Sequence, residues 1–391
     1  MQRYYFDHNA TTPAAPEIVE AMLPCFGEAY GNASSIHAFG QEAKRLLEQA
    51  RRQVAELLGC RPPEVAFTSG GTEANNLAIL GAVRSSERPR RHVITTTIEH
   101  PCVLDACRQL EREGVEVTYV GVGPDGVVSP DDIGRALRAE TVLVTVMHAN
   151  NEVGVVQPIG EIAALARAAG AAMHSDGVQA AGKIPVDAPE LGVDLYGMSA
   201  HKIYGPKGAG ALYVRPGVRI AALQFGGHQE RDRRPGTENV AGAVGLGAAA
   251  ALARRSLEAE GRRLAGLRDR LERGLLDRLE HAGVNGRGAP RVPNTANLHF
   301  DFLEAEALVI ALDLKGMAVS TGAACSSGSV EPSHVLSAMG LAADRARASL
   351  RFSLGRQNTA EQIDALLEAV EAAVERLRNL SPAAPARLAA R

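Results

Sequence analysis

From residue 64 to 215, short apolar runs alternate with stretches whose apolar positions recur at helical spacing. The runs E-V-A-F-T-S, H-V-I-T-T-T, V-E-V-T-Y-V, T-V-L-V-T-V-M-H, A-A-M-H-S-D, V-D-L-Y-G-M-S and G-A-L-Y-V-R read as strands. Between them, T-E-A-N-N-L-A-I-L, V-L-D-A-C-R-Q-L-E-R-E-G, D-D-I-G-R-A-L-R and I-G-E-I-A-A-L-A-R-A-A-G read as helices, the second stopped by Gly114. Strands that are apolar without alternation, separated by helices, predict a mostly parallel sheet covered on both faces. In such a sheet, sites gather where strand ends meet helix starts. Residues 241–280 form a long helical tract leading out of the sheet, and a second αβ series begins at T-A-N-L-H-F. A final helix carries Ile363, Leu366, Leu367, Val370 and Val374 on one face, and Thr359 with Gln362 fits a capping box at its start.

Composition narrows the class. The chain has 391 residues, 46% hydrophobic and 22% charged, ordinary for a soluble α/β protein of two or three domains. A net charge of −3 supplies no field that would recruit nucleic acid or an anionic membrane. No apolar stretch approaches the roughly 20 residues needed to span a bilayer, and M-Q-R-Y-Y-F-D-H-N-A-T-T-P holds no apolar core of a signal peptide. The five cysteines contain no C-x-x-C pair, which points to a reducing, cytoplasmic setting and away from disulfides or zinc.

Three constellations carry chemistry. In T-S-G-G-T-E, residues 68–73, two glycines and Thr72 open a helix; this is either an anion nest or a glycine turn with a capping threonine. Asp176 closes an apolar strand in H-S-D-G-V-Q, where it is either a loop carboxylate or a buried one awaiting a cation, with Gln179 beside it. In S-A-H-K-I-Y-G-P-K-G, Lys202 ends another strand next to Ser199 and His201; it either extends to water or is a desolvated, reactive amine. Lys207, in the glycine-rich turn, reads as a surface or turn residue. A phosphate nest, an aspartate for a ring nitrogen and a lysine for an aldehyde are together what pyridoxal 5'-phosphate requires.

The chain resembles the cysteine desulfurases of the class V aminotransferase superfamily along nearly its whole length. The matching blocks are Y-F-D-H-N-A-T-T-P, G-N-A-S-S-I-H, F-T-S-G-G-T-E-A-N-N-L-A-I, E-H-P-C-V-L, H-A-N-N-E-V-G-V-V-Q-P-I, S-A-H-K-I-Y-G-P-K-G-A-G-A-L-Y-V-R, R-R-P-G-T-E-N, S-T-G-A-A-C-S-S-G-S-V-E-P-S-H-V-L and L-R-F-S-L-G-R. The uninterrupted A-A-C-S-S-G-S loop is similar to the nitrogen-fixation and iron–sulfur-assembly branch. Gly177 and Gly71 stand where the family often has alanine.

The resemblance implies the fold-type I pyridoxal-phosphate architecture: a large domain (15–258) built on a seven-stranded sheet, and a small α+β domain (1–14 and 259–391) carrying the Cys325 loop. It implies that Lys202 binds the cofactor's aldehyde and later moves the substrate Cα proton. His100 would stack on the ring, Asp176 pair with its nitrogen and Gln179 meet its phenolic oxygen. Gly71, Thr72, Ser199, Ala200 and His201 would contact the cofactor, and Thr237 would reach the phosphate of the other subunit of a homodimer. Asn151 and Arg351 would take the carboxylate of L-cysteine, and Cys325 would accept its sulfur as a persulfide. A sulfur-acceptor or iron–sulfur scaffold protein would receive it, with Cys325 as a transient iron–sulfur ligand through that persulfide. Selenocysteine lyase, aminotransferase and non-catalytic docking protein stand as the alternatives.

Overall fold

The structure, a computed structural model, describes residues 3–322 and 332–382. Its twelve strands are β1 (Tyr4–Tyr5), β2 (Val65–Thr68), β3 (His92–Thr96), β4 (Glu116–Val120), β5 (Thr141–Thr145), β6 (Ala172–Asp176), β7 (Leu195–Ser199), β8 (Gly210–Val214), β9 (Ala282–Val284), β10 (Thr295–Phe300), β11 (Met317–Ala318) and β12 (Ser349–Ser353). Seven of them form the central sheet in the order β2-β8-β7-β6-β5-β3-β4. All neighbours from β7 to β4 run parallel, and β8 is antiparallel to both β2 and β7.

Consecutive strand residues feed opposite layers, which explains the unbroken apolar runs. Ile94, Val144, Tyr196 and Tyr213 pack with the helices Ala38–Leu57, Ile159–Ala168 and the first third of Val240–Arg278. Their neighbours Val93, Leu143, Leu195 and Leu212 pack on the other face with Gly71–Arg84 and Pro101–Arg112. Every strand read between residues 64 and 215 is present.

The 39-residue helix Val240–Arg278 leaves this core and enters a second one, where Leu264, Leu271 and Leu275 meet β10, β12 and the helices Ala305–Asp313 and Ala360–Leu380. There β9, β10 and β12 form an antiparallel sheet. Phe6 belongs to this second core, and β1 pairs with β11. At the start of Ala360–Leu380 the expected capping box is half made. Thr359 accepts the Gln362 N–H, but the Gln362 side chain instead accepts from Asn358 Nδ2 at 3.0 Å.

Candidate active site

The carboxyl ends of β2, β3, β5, β6 and β7 open on one pocket of about 310 Å³. Each strand delivers its residue through the connection that follows it. After β2 the chain turns through Gly70 into helix Gly71–Arg84, placing Gly71 and Thr72 in the first turn with N–H groups directed outward. After β3, His100 caps helix Pro101–Arg112, its Nδ1 accepting the Cys102 N–H at 3.2 Å. Beyond β5 come Met147, Ala149 and Asn151; β6 ends on Asp176, and β7 on Ser199, followed by the short turn Ala200–Lys202. Arg351 arrives from β12, and Asn9 and Ala10 from the N-terminal segment.

Lys202 Nζ donates to the carbonyls of Asn9 and Ala10 at 2.6 and 2.7 Å. Asp176 is buried, and desolvation raises its pKa; the charges of His100 and Lys202 and the Val178 N–H at 2.9 Å act against that. Burial holds the His100 imidazole below its ordinary range. His201, which contacts Thr11 Oγ1 at 3.1 Å, is pushed down to about 4 by burial and by the charges of Lys202, Lys207 and Lys183. Arg351 is buried and already engaged, Nη1 with the Asn151 carbonyl at 2.9 Å and Nη2 with Asp7 Oδ1 at 2.7 Å.

Of the residues singled out in the sequence, Gly71, Thr72, His100, Asn151, Asp176, Gln179, Ser199, His201, Lys202 and Arg351 line the same pocket. Ala200 does not line it; its side chain is fully buried in the sheet core. Thr237 is exposed and away from the pocket of its own chain. Just before it, Glu230, Arg231 and Asp232 make a left-handed turn at φ of 47°, 58° and 64°. A buried pair stabilises that turn: Arg51 grips Glu230 at 2.6 and 2.9 Å, and Glu230 also accepts the Phe67 N–H. Lys207 is exposed. Cys325 lies outside the described residues, and among those residues no group of side chains could hold a metal ion.

Pocket residues missed by the sequence reading include Asn9, Ala10, Asn75, Cys102 and Met147. Nothing in a short polar N-terminal stretch marks Asn9 as central, although its D-H-N-A-T-T-P setting belongs to a recognised block. Burial, and after it the Asp176 charge, push the Cys102 thiol up to about 12, which disfavours its thiolate.

Pyridoxal phosphate fits these residues. The Ser199 hydroxyl is buried at the pocket with no hydrogen-bond partner among the described residues, as an acceptor-rich phosphate would require. Asp176 is a buried carboxylate at the pocket, suited to a protonated ring nitrogen. A Cβ on Gly71 would meet Val178 Cγ2 at 2.6 Å, so the helix start lies close against the β6 end.

Residues 4–366 match the aminotransferase class-V family, and the chain belongs to it; the family depends on pyridoxal phosphate. Among its relatives is the cysteine desulfurase IscS of Dictyoglomus turgidum, 47% identical over 378 residues, covering 97% of this chain and 96% of that protein. The cysteine desulfurase IscS of Methanosarcina thermophila is 48% identical over 381 residues, 97% of this chain and 94% of the other. Among solved structures, a NifS-like protein superposes with a TM-score of 0.90 at 37% identity, covering 96% of this chain and all of its own. SspA in complex with cysteine superposes with a TM-score of 0.81 at 34% identity, covering 90% and 99%.

Proposed function

We propose that this chain is a pyridoxal-phosphate-dependent cysteine desulfurase that converts L-cysteine to L-alanine and transfers the sulfur to Cys325. The observation that carries it is the convergence of Lys202, Asp176, His100 and Ser199 on one pocket, in a chain 47% identical to a cysteine desulfurase across nearly its full length. When bound, the cofactor supplies an electron sink for the substrate Cα carbanion. Lys202 would hold the cofactor's aldehyde and move the Cα proton, at the end of a turn where the Asn9 and Ala10 carbonyls already orient its amine. Asp176 would hold the ring nitrogen protonated, and His100 would cover the ring. Gly71, Thr72, Ser199 and His201 would hold the phosphate.

Arg351 and Asn151 would receive the substrate carboxylate, which must compete with Asp7 for Arg351 Nη2. The Cys325 thiolate would attack the substrate sulfur. An S–S bond forms as the Cβ–S bond breaks, the electron pair and a proton go to Cβ, and alanine leaves. Sulfur would then pass to an acceptor or iron–sulfur scaffold protein. The same reading makes the molecule a cytoplasmic homodimer in which Thr237 reaches the neighbouring cofactor. It also divides the chain into a large unit, 15–258, and a small one formed by 1–14 and 259–391. Among the described residues no helix is long and apolar enough to cross a membrane.

The test compares wild type, Cys325→Ala and Lys202→Ala. Cys325→Ala should retain the absorbance band of lysine-bound cofactor and lose sulfide and alanine production from L-cysteine by at least roughly a hundredfold. Lys202→Ala should lose the band. Wild-type sulfide release from Cys325→Ala would exclude sulfur transfer to that residue and favour a lyase.

A further inference from the structure

Behind the pocket wall, Lys183 reaches two side-chain oxygens at once: Gln179 Oε1 at 2.5 Å and Asn9 Oδ1 at 2.9 Å. Both amides are buried. The other end of each faces a main-chain carbonyl, which only accepts, and this settles which atom is nitrogen. Gln179 Nε2 donates to the Asn9 carbonyl at 3.0 Å, and Asn9 Nδ2 donates to the Asn151 carbonyl at 3.1 Å and to Thr295 Oγ1 at 2.8 Å. Asn294 Nδ2 also donates to Asn9 Oδ1 at 3.1 Å. The same Asn9 carbonyl accepts from Lys202 Nζ. One amine therefore closes a network running from Gln179 through Asn9 to Lys202.

We propose that Lys183 is a positioning residue: by occupying Gln179 Oε1, opposite the Asn9 carbonyl that accepts from Gln179 Nε2, it holds the Gln179 N–H at the pocket. This rests on the pyridoxal-phosphate reading of the pocket, where the Gln179 N–H would donate to the cofactor's phenolic oxygen. The Lys183 amine donates to both oxygens, although burial and the charges of Lys202 and Arg351 hold its pKa well below the usual lysine range. An apolar side chain would leave Gln179 Oε1 without that donor, whereas Asn9 Oδ1 would keep Asn294 Nδ2. Without Lys183, Gln179 Oε1 has no partner among the described residues. A buried oxygen left without a donor is unfavourable, so the Gln179 side chain should shift to reach another one, which strains its Nε2 bond to the Asn9 carbonyl and displaces its N–H at the pocket.

The groups facing Lys183 are Lys202, Arg351, His8 and His201, and those facing Lys202 include Asp176 and His100. All of these remain in every variant below, and the double variant separates the charge of Lys183 itself from its action through Gln179.

The test reads the pH midpoint of the lysine-bound cofactor's absorbance band in holoenzyme. Four proteins are compared: wild type, Lys183→Met, Gln179→Leu and the double variant. A donor to the phenolic oxygen draws electron density from it and lowers the midpoint, so Lys183→Met should raise it by roughly 0.5–1 pH unit. The double variant should match Gln179→Leu alone, because Lys183 acts through that amide. An unchanged midpoint in Lys183→Met overturns the proposal. So do shifts that simply add, since a direct charge effect of Lys183 would persist without Gln179. Should Lys183→Met fail to fold, Lys183→Gln, which serves at most one of the two oxygens, is expected to move the midpoint upward by less; a wild-type midpoint in it overturns the proposal equally. A wild type with no such band overturns the underlying reading, and this inference with it.

Discussion

A methyl group on Gly177 would meet the Tyr196 ring at 2.0 Å. That contact accounts for a glycine at this position. The ring is fully buried and its hydroxyl meets His148 Nδ1 at 2.9 Å, so it has nowhere to retreat. Gly177→Ala is expected to destabilise the protein by about 1–3 kcal/mol. In a double-mutant cycle with Tyr196→Leu, urea unfolding should show a smaller cost for the alanine once the ring is gone. Glu99 gives a pH-dependent case. Its carboxyl is buried, with Oε1 accepting from Thr96 Oγ1 and the Met147 N–H and Oε2 unpartnered among the described residues. Burial pushes its pKa up to about 8, from 4.5. The folded state thus keeps a proton that the unfolded chain releases. The contribution to stability is whole below about pH 4.5 and is lost as pH rises through 8. Glu99→Gln should match wild type near pH 4.5 and gain on it by on the order of 1.4 kcal/mol per pH unit above that, up to pH 8, in unfolding measurements at several pH values.

Helix Val240–Arg278 contains glycines that mean opposite things. A Cβ at Gly247 would lie 2.6 Å from the Ala50 Cα of helix Ala38–Leu57, a backbone atom that cannot move without shifting the helix. At Gly261 nothing lies within 4 Å. Gly247→Ala should therefore cost about 1–3 kcal/mol, whereas Gly261→Ala should gain about 0.5–1 kcal/mol from helix propensity alone; thermal melts of the two variants separate the cases. The helix itself was legible as a tract, because alanine and leucine recur through it at helical spacing. Which of its glycines face a neighbour was not, since that depends on a helix some 200 residues earlier. The capping at Thr359 shows the same limit on a smaller scale. The motif was present, but Asn358, one residue outside it, captured the Gln362 side chain.

Across the whole molecule, the central sheet was readable because parallel strands buried on both faces leave long apolar runs, and the strand-end rule then pointed to Thr72, Asp176 and Lys202. Asn9, Lys183 and Asp7 were not readable. Asn9 matters through Thr295, Asn151 and Lys202, and Asp7 through Arg351, and no local pattern encodes partners so distant. Residues of the first dozen positions link the two cores: Thr12 bonds to the His201 carbonyl, Asn9 to Ser353 Oγ and Thr295, and Phe6 packs in the second core.

That arrangement has a consequence for biosynthesis. Asp7 and Arg351 are 344 residues apart, as are Asn9 and Ser353. At roughly 5–20 residues per second on the ribosome, the N-terminal segment waits tens of seconds for its partners. Lys202 is made about midway between Asn9 and Arg351, so its amine exists for much of that interval before Arg351 and the second core can close over it. Closure of the pocket by Arg351 is thereby deferred until the second core has been synthesised.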